Sequence, residues 1–250
     1  MFLTFLRYSP QKNRDRQRNC KTLNDICYRD MKKLFFKICL LIAITCLAVV
    51  AKAQPFIDEI ANFKKQDAAS FPPANAILFV GSSSFRKWED VANYFPNYTI
   101  INRGFGGSTL PDVIQYETDV IFPYHPKQIV IYCGENDIAS SDTVSVQMVF
   151  SRFKKLFTDI RAVMHDVPIL FISLKPSPSR WQMRNRMMGA NKLIKKYLKK
   201  KNNAAFVSVW NAMLGADGQP IPDIFESDNL HMNAKGYTIW QKLIEPYLLK

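Results

Sequence analysis

The sequence predicts an α/β fold, a three-layer α/β/α sandwich around a mostly parallel five-stranded sheet. Three observations predict it. Five short apolar runs alternate with longer amphipathic stretches. The runs lack apolar–polar alternation, as expected of strands covered on both faces. Strand and helix candidates succeed one another at least four times, the pattern of parallel strands joined by right-handed helical crossovers.

In chain order the first element is an address rather than part of the fold. Met31-Lys32-Lys33 opens a short basic region, Ile38–Ala51 is apolar except for Thr45, and Ala51-Lys52-Ala53 forms a small-x-small site before Gln54. The run is shorter than the ~20 apolar residues that span a bilayer. The expectation is therefore a signal peptide over 31–53, cleaved near Ala53-Gln54, with an uncleaved membrane anchor as the alternative. Cys46 follows Thr45 rather than a small residue and is discounted as a lipid-attachment site. Residues 1–30 are basic and aperiodic; translation is expected to begin at Met31, or else these residues form an extension. The folded domain is expected over 54–250.

Charge and cysteine usage follow the same division. Residues 1–53 carry 11 Lys/Arg against 3 Asp/Glu, and the rest carries 23 against 18, so most of the formal +13 lies outside the domain. A nucleic-acid partner loses its main support. Cys20, Cys27, Cys39 and Cys46 precede the cleavage site, leaving only Cys133 in the domain. One cysteine makes no internal disulfide, and no Cys/His spacing suits zinc.

Within the domain, Phe56–Ala69 reads as the first helix and Ile77–Val80 as the first strand. Tyr98–Asn102 is the second strand, and Leu110–Ile121 the helix after it. Gln128–Cys133 is the third strand, followed by a long helix over Val144–Met164 whose apolar residues, Val149, Phe153, Leu156, Phe157 and Ile160 among them, recur at helical spacing. Ile169–Ser173, a helix over Gln182–Lys201, the strand Ala205–Val209 and a final helix Ala234–Leu249 complete the order. Lys192–Lys201 is read as a solvated helix face.

In parallel sheets ligands bind beyond the carboxyl ends of the strands. Four polar blocks stand at or near such ends: Gly81-Ser82-Ser83-Ser84, Asn102–Ser108 (NRGFGGS), Gly134-Glu135-Asn136-Asp137, and Asp228-Asn229-Leu230-His231 before the last helix. Each alone is a weak signal, since glycine-rich loops, helix caps and single histidines are common in structural roles. Their joint occurrence in this order is not.

These four blocks resemble those of the GDSL-like, or SGNH, hydrolases. The resemblance covers roughly Ala76 to the C-terminus. It implies a flavodoxin-like sandwich and an esterase or acylhydrolase that needs no cofactor and no metal. Matched block by block, it implies Ser83 as nucleophile and His231 with Asp228 as its base and orienter. The Ser83 and Gly107 backbone amides and the Asn136 side chain would form the oxyanion hole. Ser82 stands where the family usually has Asp, which leaves Ser82 and Ser84 as competing nucleophiles. The chemistry suits the residue types. A hydroxyl needs a base to attack an ester, imidazole titrates near neutrality, and a carboxylate fixes its tautomer. A metal set of Asp137, Asp228 and His231 has too few ligands to be preferred.

Phe105 and Arg103, inside the second block, are substrate-contact candidates, although a salt bridge suits Arg103 equally. Trp88 and Trp181 could line a pocket but suit packing better. Lys175–Arg180 (KPSPSR) follows the fourth strand and is expected at the rim of the site. His125 and His165 are expected at the surface. The leading function is an exported serine esterase acting on small acyl esters, acetyl groups on carbohydrate first among them. Membrane contact would come only through the export signal. A lysophospholipase or thioesterase is the enzymatic alternative, and a non-catalytic envelope carbohydrate-binding protein the other.

Overall fold

The computed structural model describes residues 31–38 and 55–250. The chain divides into two compact units, Met1–Gln54 and Pro55–Lys250. In the first, residues 31–38 are helical. The rest of the expected export signal, including most of the apolar run and the Ala51-Lys52-Ala53 site, lies outside the described residues.

The second unit runs α1 (Ile57–Ala69), β1 (Ile77–Gly81), α2 (Ser83–Arg86), α3 (Val91–Tyr94), β2 (Ile100–Gly104), α4 (Leu110–Gln115), α5 (Glu117–Val120), β3 (Gln128–Tyr132), α6 (Glu135–Ser140), α7 (Val146–Val163), β4 (Ile169–Ile172), α8 (Arg184–Leu198), β5 (Ala204–Val207) and α9 (Ala234–Ile244). All five strands are parallel, in the order β2-β1-β3-β4-β5. That is the doubly wound, flavodoxin-like order. The absence of alternation in β1 has a simple cause. Leu78 and Val80 enter one core with residues of α1, α4, α7 and α8, while Ile77 and Phe79 enter a second core with Phe85, Trp88 and α9. Both faces are covered, so both must be apolar.

Element boundaries depart from the sequence reading where polar or cyclic residues intervene. β2 begins and ends two residues later than expected, because Tyr98 still belongs to a turn, its N–H bonding to Phe95 O at 3.0 Å. The helix expected over Leu110–Ile121 is two helices that part at Tyr116, which is buried, edge-on to Phe105, and donates its hydroxyl to Pro55 O at 2.7 Å. The fourth long helix starts at Arg184, because Pro178–Met183 forms 3-10 turns before it. The last helix stops at Ile244, where Pro246, lacking an N–H, begins another such turn.

Register sets the site. Gly81, at the end of β1, pairs with Gly104 of β2 on one side and Tyr132 of β3 on the other. The chain therefore leaves the sheet at residue 82 between the ends of β2 and β3, at the switch point where the crossover direction reverses. Gly81 takes φ +144°, and a Cβ there would sit 2.0 Å from Tyr132 O, so only glycine closes this exit.

Candidate active site

Three serines follow Gly81, and the backbone separates them. Ser82 N–H donates to Tyr132 O at 3.0 Å; Ser82 is buried at the position before α2, and its hydroxyl makes no cap bond. Ser84 is buried under α9, where its carbonyl accepts Tyr237 Oη–H at 2.9 Å. Ser83 alone is partly exposed, and its Oγ lies 2.9 Å from His231 Nε2. Which serine faces the imidazole, open in the sequence, is settled by this turn.

His231 comes from the loop between β5 and α9. Its Nδ1 lies 2.5 Å from Asp228 Oδ2. Asp228 Oδ1 accepts the N–H groups of Leu230 and His231, each at 2.9 Å. The spacing of three thus closes a turn around one carboxylate, with Asn229 at φ +55° between. Burial pushes the Asp228 carboxyl upward. The hydrogen bonds from the His231 ring and from the two amides outweigh that and hold it well below the usual carboxylate range. It stands as an anion beside the ring.

The second and third blocks follow β2 and β3, the strands on either side of β1, and meet each other there. Asn136 Nδ2 donates one hydrogen to Ser108 O at 3.0 Å, which leaves the second free and fixes the carboxamide. A Cβ on Gly107 would stand 3.9 Å from that Nδ2, so glycine and carboxamide border the same space. Among the described residues the Ser83 and Gly107 N–H groups have no internal partner.

Two motif residues serve the frame instead. Asn102 donates to Phe85 O and Trp88 O at 2.7 and 3.1 Å and accepts Gly104 N–H at 2.9 Å, tying β2 to the serine turn. Asp137, fully buried, accepts Leu110 N–H and an Arg152 N–H, both at 2.8 Å, tying α6 to α4 and α7. The metal set Asp137–Asp228–His231 therefore does not assemble. Glu226, Asp228 and His231 do bring ligand atoms within 4.8 Å of one another, but Glu226 is ion-paired with Lys87 and the other two with each other.

Two substrate-contact expectations need correction. Arg103 is buried, ion-paired and hydrogen-bonded to Asp67, bonded to Tyr124 Oη at 2.6 Å, and stacked on Phe63 and Tyr124. It is the salt-bridge alternative that holds. Phe105 is wholly buried, edge-on to Phe56 and Tyr116, and belongs to the core. Trp88 is likewise core, stacked on Tyr237. Trp181 is half-buried and stacks on Trp210, with Arg184 over its ring. His125 and His165 are exposed, as expected.

The sequence reading missed a buried charge cluster under Asn136. Glu135 and Lys175, 3% and 1% exposed, pair at 2.8 Å. Tyr132 Oη–H also donates to Glu135, and Arg180 lies 3.1 Å from its other oxygen as an ion pair without hydrogen-bond alignment. Burial works to neutralise both members. It lowers the Lys175 pKa, whereas for Glu135 the Lys175 and Arg180 charges outweigh it and bring the carboxyl below its ordinary value. The available signal was a charged residue three positions after the end of each of two neighbouring apolar strands.

A partly exposed serine hydroxyl on an imidazole–carboxylate pair, at the end of a 2-1-3-4-5 parallel sheet, is the arrangement of a serine hydrolase. The chain belongs to the GDSL-like lipase/acylhydrolase family, whose profile matches residues 75–239, and it is an esterase or acylhydrolase of that family. None of the curated proteins compared matches the sequence. Among solved structures the chain is similar to a candidate platelet activating factor from Streptococcus pneumonia, with 20% identity, TM-score 0.68, and coverage of 84% of this chain and 99% of that one. A GDSL-like lipase from Bacteroides thetaiotaomicron shares 24% identity at TM-score 0.61, covering 75% and 97%. An acetyl xylan esterase from Geobacillus stearothermophilus shares 15% at 0.57, covering 72% and 99%. At these identities the likeness is one of fold.

Proposed function

We propose that this chain is an exported serine esterase that removes small acyl groups, acetyl above all, from carbohydrate. The observation that carries the mechanism is the unbroken line from Ser83 Oγ through His231 to Asp228, at 2.9 and 2.5 Å.

Ser83 Oγ bonds to the ester carbonyl carbon while its proton passes to His231 Nε2. The carbonyl electron pair moves onto oxygen, which turns toward the Ser83 and Gly107 amides and the free Asn136 N–H. As that oxyanion collapses, the bond to the alcohol oxygen breaks and His231 gives it the proton. Water repeats the sequence against the acyl-serine, freeing the carboxylic acid and restoring Ser83. Asp228 holds the Nδ1–H tautomer and stabilises the imidazolium.

The preference for a short acyl group rests on what lies beneath the site. Phe105, Leu110 and Leu174 are fully buried in one packed core rather than lining a channel. Export rests on the sequence of residues 31–53, and a glycan substrate suits an exported enzyme. The likeness to an acetyl xylan esterase agrees with it.

The test is a panel of acetyl to long-chain esters of one alcohol, together with acetylated sugars, on the protein beginning at Gln54. The expected result is highest kcat/KM on acetyl esters, covalent fluorophosphonate labelling, and loss of labelling and of about 10⁴-fold or more in kcat on Ser83→Ala. A preference for long chains would replace this reading with a lysophospholipase, and an unlabelled, inactive protein would replace it with a binding protein.

A further inference from the structure

The two halves of the proposed site come from different places. Asn136 sits on α6, directly after β3. Asp228 and His231 sit on a loop that follows no strand directly. Polar contacts linked by single steps along the chain join them. Glu135, next to Asn136, sends its side chain into the core end of the sheet to Lys175 at 2.8 Å and Arg180 at 3.1 Å. Lys175 and Arg180 bracket the segment after β4, and Lys175 N–H reaches Tyr132 Oη at 3.5 Å. Within that segment Ser179 N–H donates to Asn229 O at 3.1 Å, inside the Asp228 turn.

We infer that Glu135 and Lys175 are positioning residues for catalysis: their buried pair holds Asn136 and the Asp228–His231 turn at the separation that Ser83 requires. This rests on the proposed esterase mechanism. Three features favour positioning over simple stability. A buried ion pair is a poor stabiliser, because desolvating two charges offsets their attraction. This pair lies directly beside the oxyanion residue. Its third member, Arg180, is the chain neighbour of the residue that grips the triad turn. The Lys155–Asp159 pair, by contrast, is an i,i+4 pair within α7 and reaches no residue of the site.

The test exploits that weakness. Replacing both charges with apolar groups of similar volume, in Glu135→Met/Lys175→Met, leaves neither of the two most buried charges alone, while Arg180 and the Tyr132 hydroxyl lose a partner. Turnover is measured per site on an acetyl ester, with sites counted by fluorophosphonate end-point, alongside Tm. The expected result is a folded variant with KM within about twofold of wild type and kcat lower by about 10²-fold, the scale of an ångström's misplacement. A pair that serves stability alone would shift Tm and leave kcat per titrated site unchanged. A folded double variant with kcat within about twofold of wild type overturns the inference.

Should the double variant not fold, Glu135→Gln keeps the shape and hydrogen-bonding reach. It is expected to lose about tenfold in kcat at unchanged KM, a transition-state loss of about 1.4 kcal/mol. A kcat within about twofold of wild type overturns the inference in that variant too. A wild type that is neither labelled nor active removes the esterase mechanism and this inference together, whereas an active wild type with an equally active variant removes the inference alone.

Discussion

The proposed oxyanion side of the site and the proposed acid–base side are built by different means. Ser83, Gly107 and Asn136 each stand within a few residues of a strand end, and the parallel register of β2, β1 and β3 fixes those ends side by side. Asp228 and His231 have no such support. Asp228 is 43% exposed, and its turn is held by the bonds it makes to its own backbone, by the contact with Ser179, and by an exposed Lys87–Glu226 pair at 2.5 Å. One half inherits its precision from the sheet; the other is closed locally, by a Phe225–Met232 bridge with Glu226 N–H on His231 O at 2.7 Å and by one carboxylate. The difference teaches where a substitution will spread. On the sheet side it deletes a group, while on the loop side it also releases the backbone that carries its neighbour.

Two truncations would break or sharpen that contrast. Asp228→Ala removes the orienter of the imidazole and the one oxygen that accepts both amides of the turn. The expected loss is about 10⁴-fold in kcat, the size seen when a triad carboxylate is disabled. Asn136→Ala removes one donor from a helix that stays in place, and the expected loss is about 10²–10³-fold, with KM little changed. Steady-state kinetics on an acetyl ester compare them directly. Should Asn136→Ala prove the more damaging, the triad loop is held by something other than its own carboxylate.

The contrast also explains what the sequence could reveal. The four blocks were legible because their spacing is local: a turn after a strand, or a carboxylate three residues before a histidine. The centres of the strands were legible because both faces of the sheet are covered, as the two cores around Leu78 and Phe79 show. Pairing between distant segments was not. Glu135 and Lys175 meet because β3 neighbours β4, and sheet order is not written at either position. β2 was ended two residues early because Arg103 is a charged residue inside a strand, and its partners, the side chains of Asp67 and Tyr124, come from other elements.

Arg103 gives a third test, since it lies beside the oxyanion block in sequence yet belongs to the frame. Arg103→Ala strands Asp67 and Tyr124, both largely buried, without a cation. Breaking a buried pair in this way costs about 3 kcal/mol. Denaturant melts should show that loss, while kcat/KM per titrated site on neutral and anionic esters stays at the wild-type value. A selective rise in KM for an anionic ester would return Arg103 to the substrate-binding role.

The smallest effect concerns a carboxyl far from the chemistry, and it separates stability from catalysis along the pH axis. Glu117 opens α5, and its Oε2 is buried without a partner. Burial first, and the charge of Asp159 second, raise its pKa from 4.5 to about 7, against the pull of Lys155. The folded chain therefore holds a proton that the unfolded chain has already released between pH 4.5 and about 7. Through that window stability falls as pH rises, and the penalty is complete above the folded pKa. Glu117→Gln has no proton to lose. Its stability should match wild type below pH 4.5, where both side chains are neutral, and exceed it increasingly up to about 7, after which the gain is constant. Because Glu117 is partly solvated, the gain will be smaller than the full shift implies. Urea melts across that range measure it. The kcat–pH profile should not move, because in the proposed mechanism the proton transferred in turnover is carried by His231 and not by Glu117. A shift of that profile in Glu117→Gln would show that α5 is electrostatically coupled to the site, and the division into a sheet-held half and a self-held half would no longer account for its behaviour.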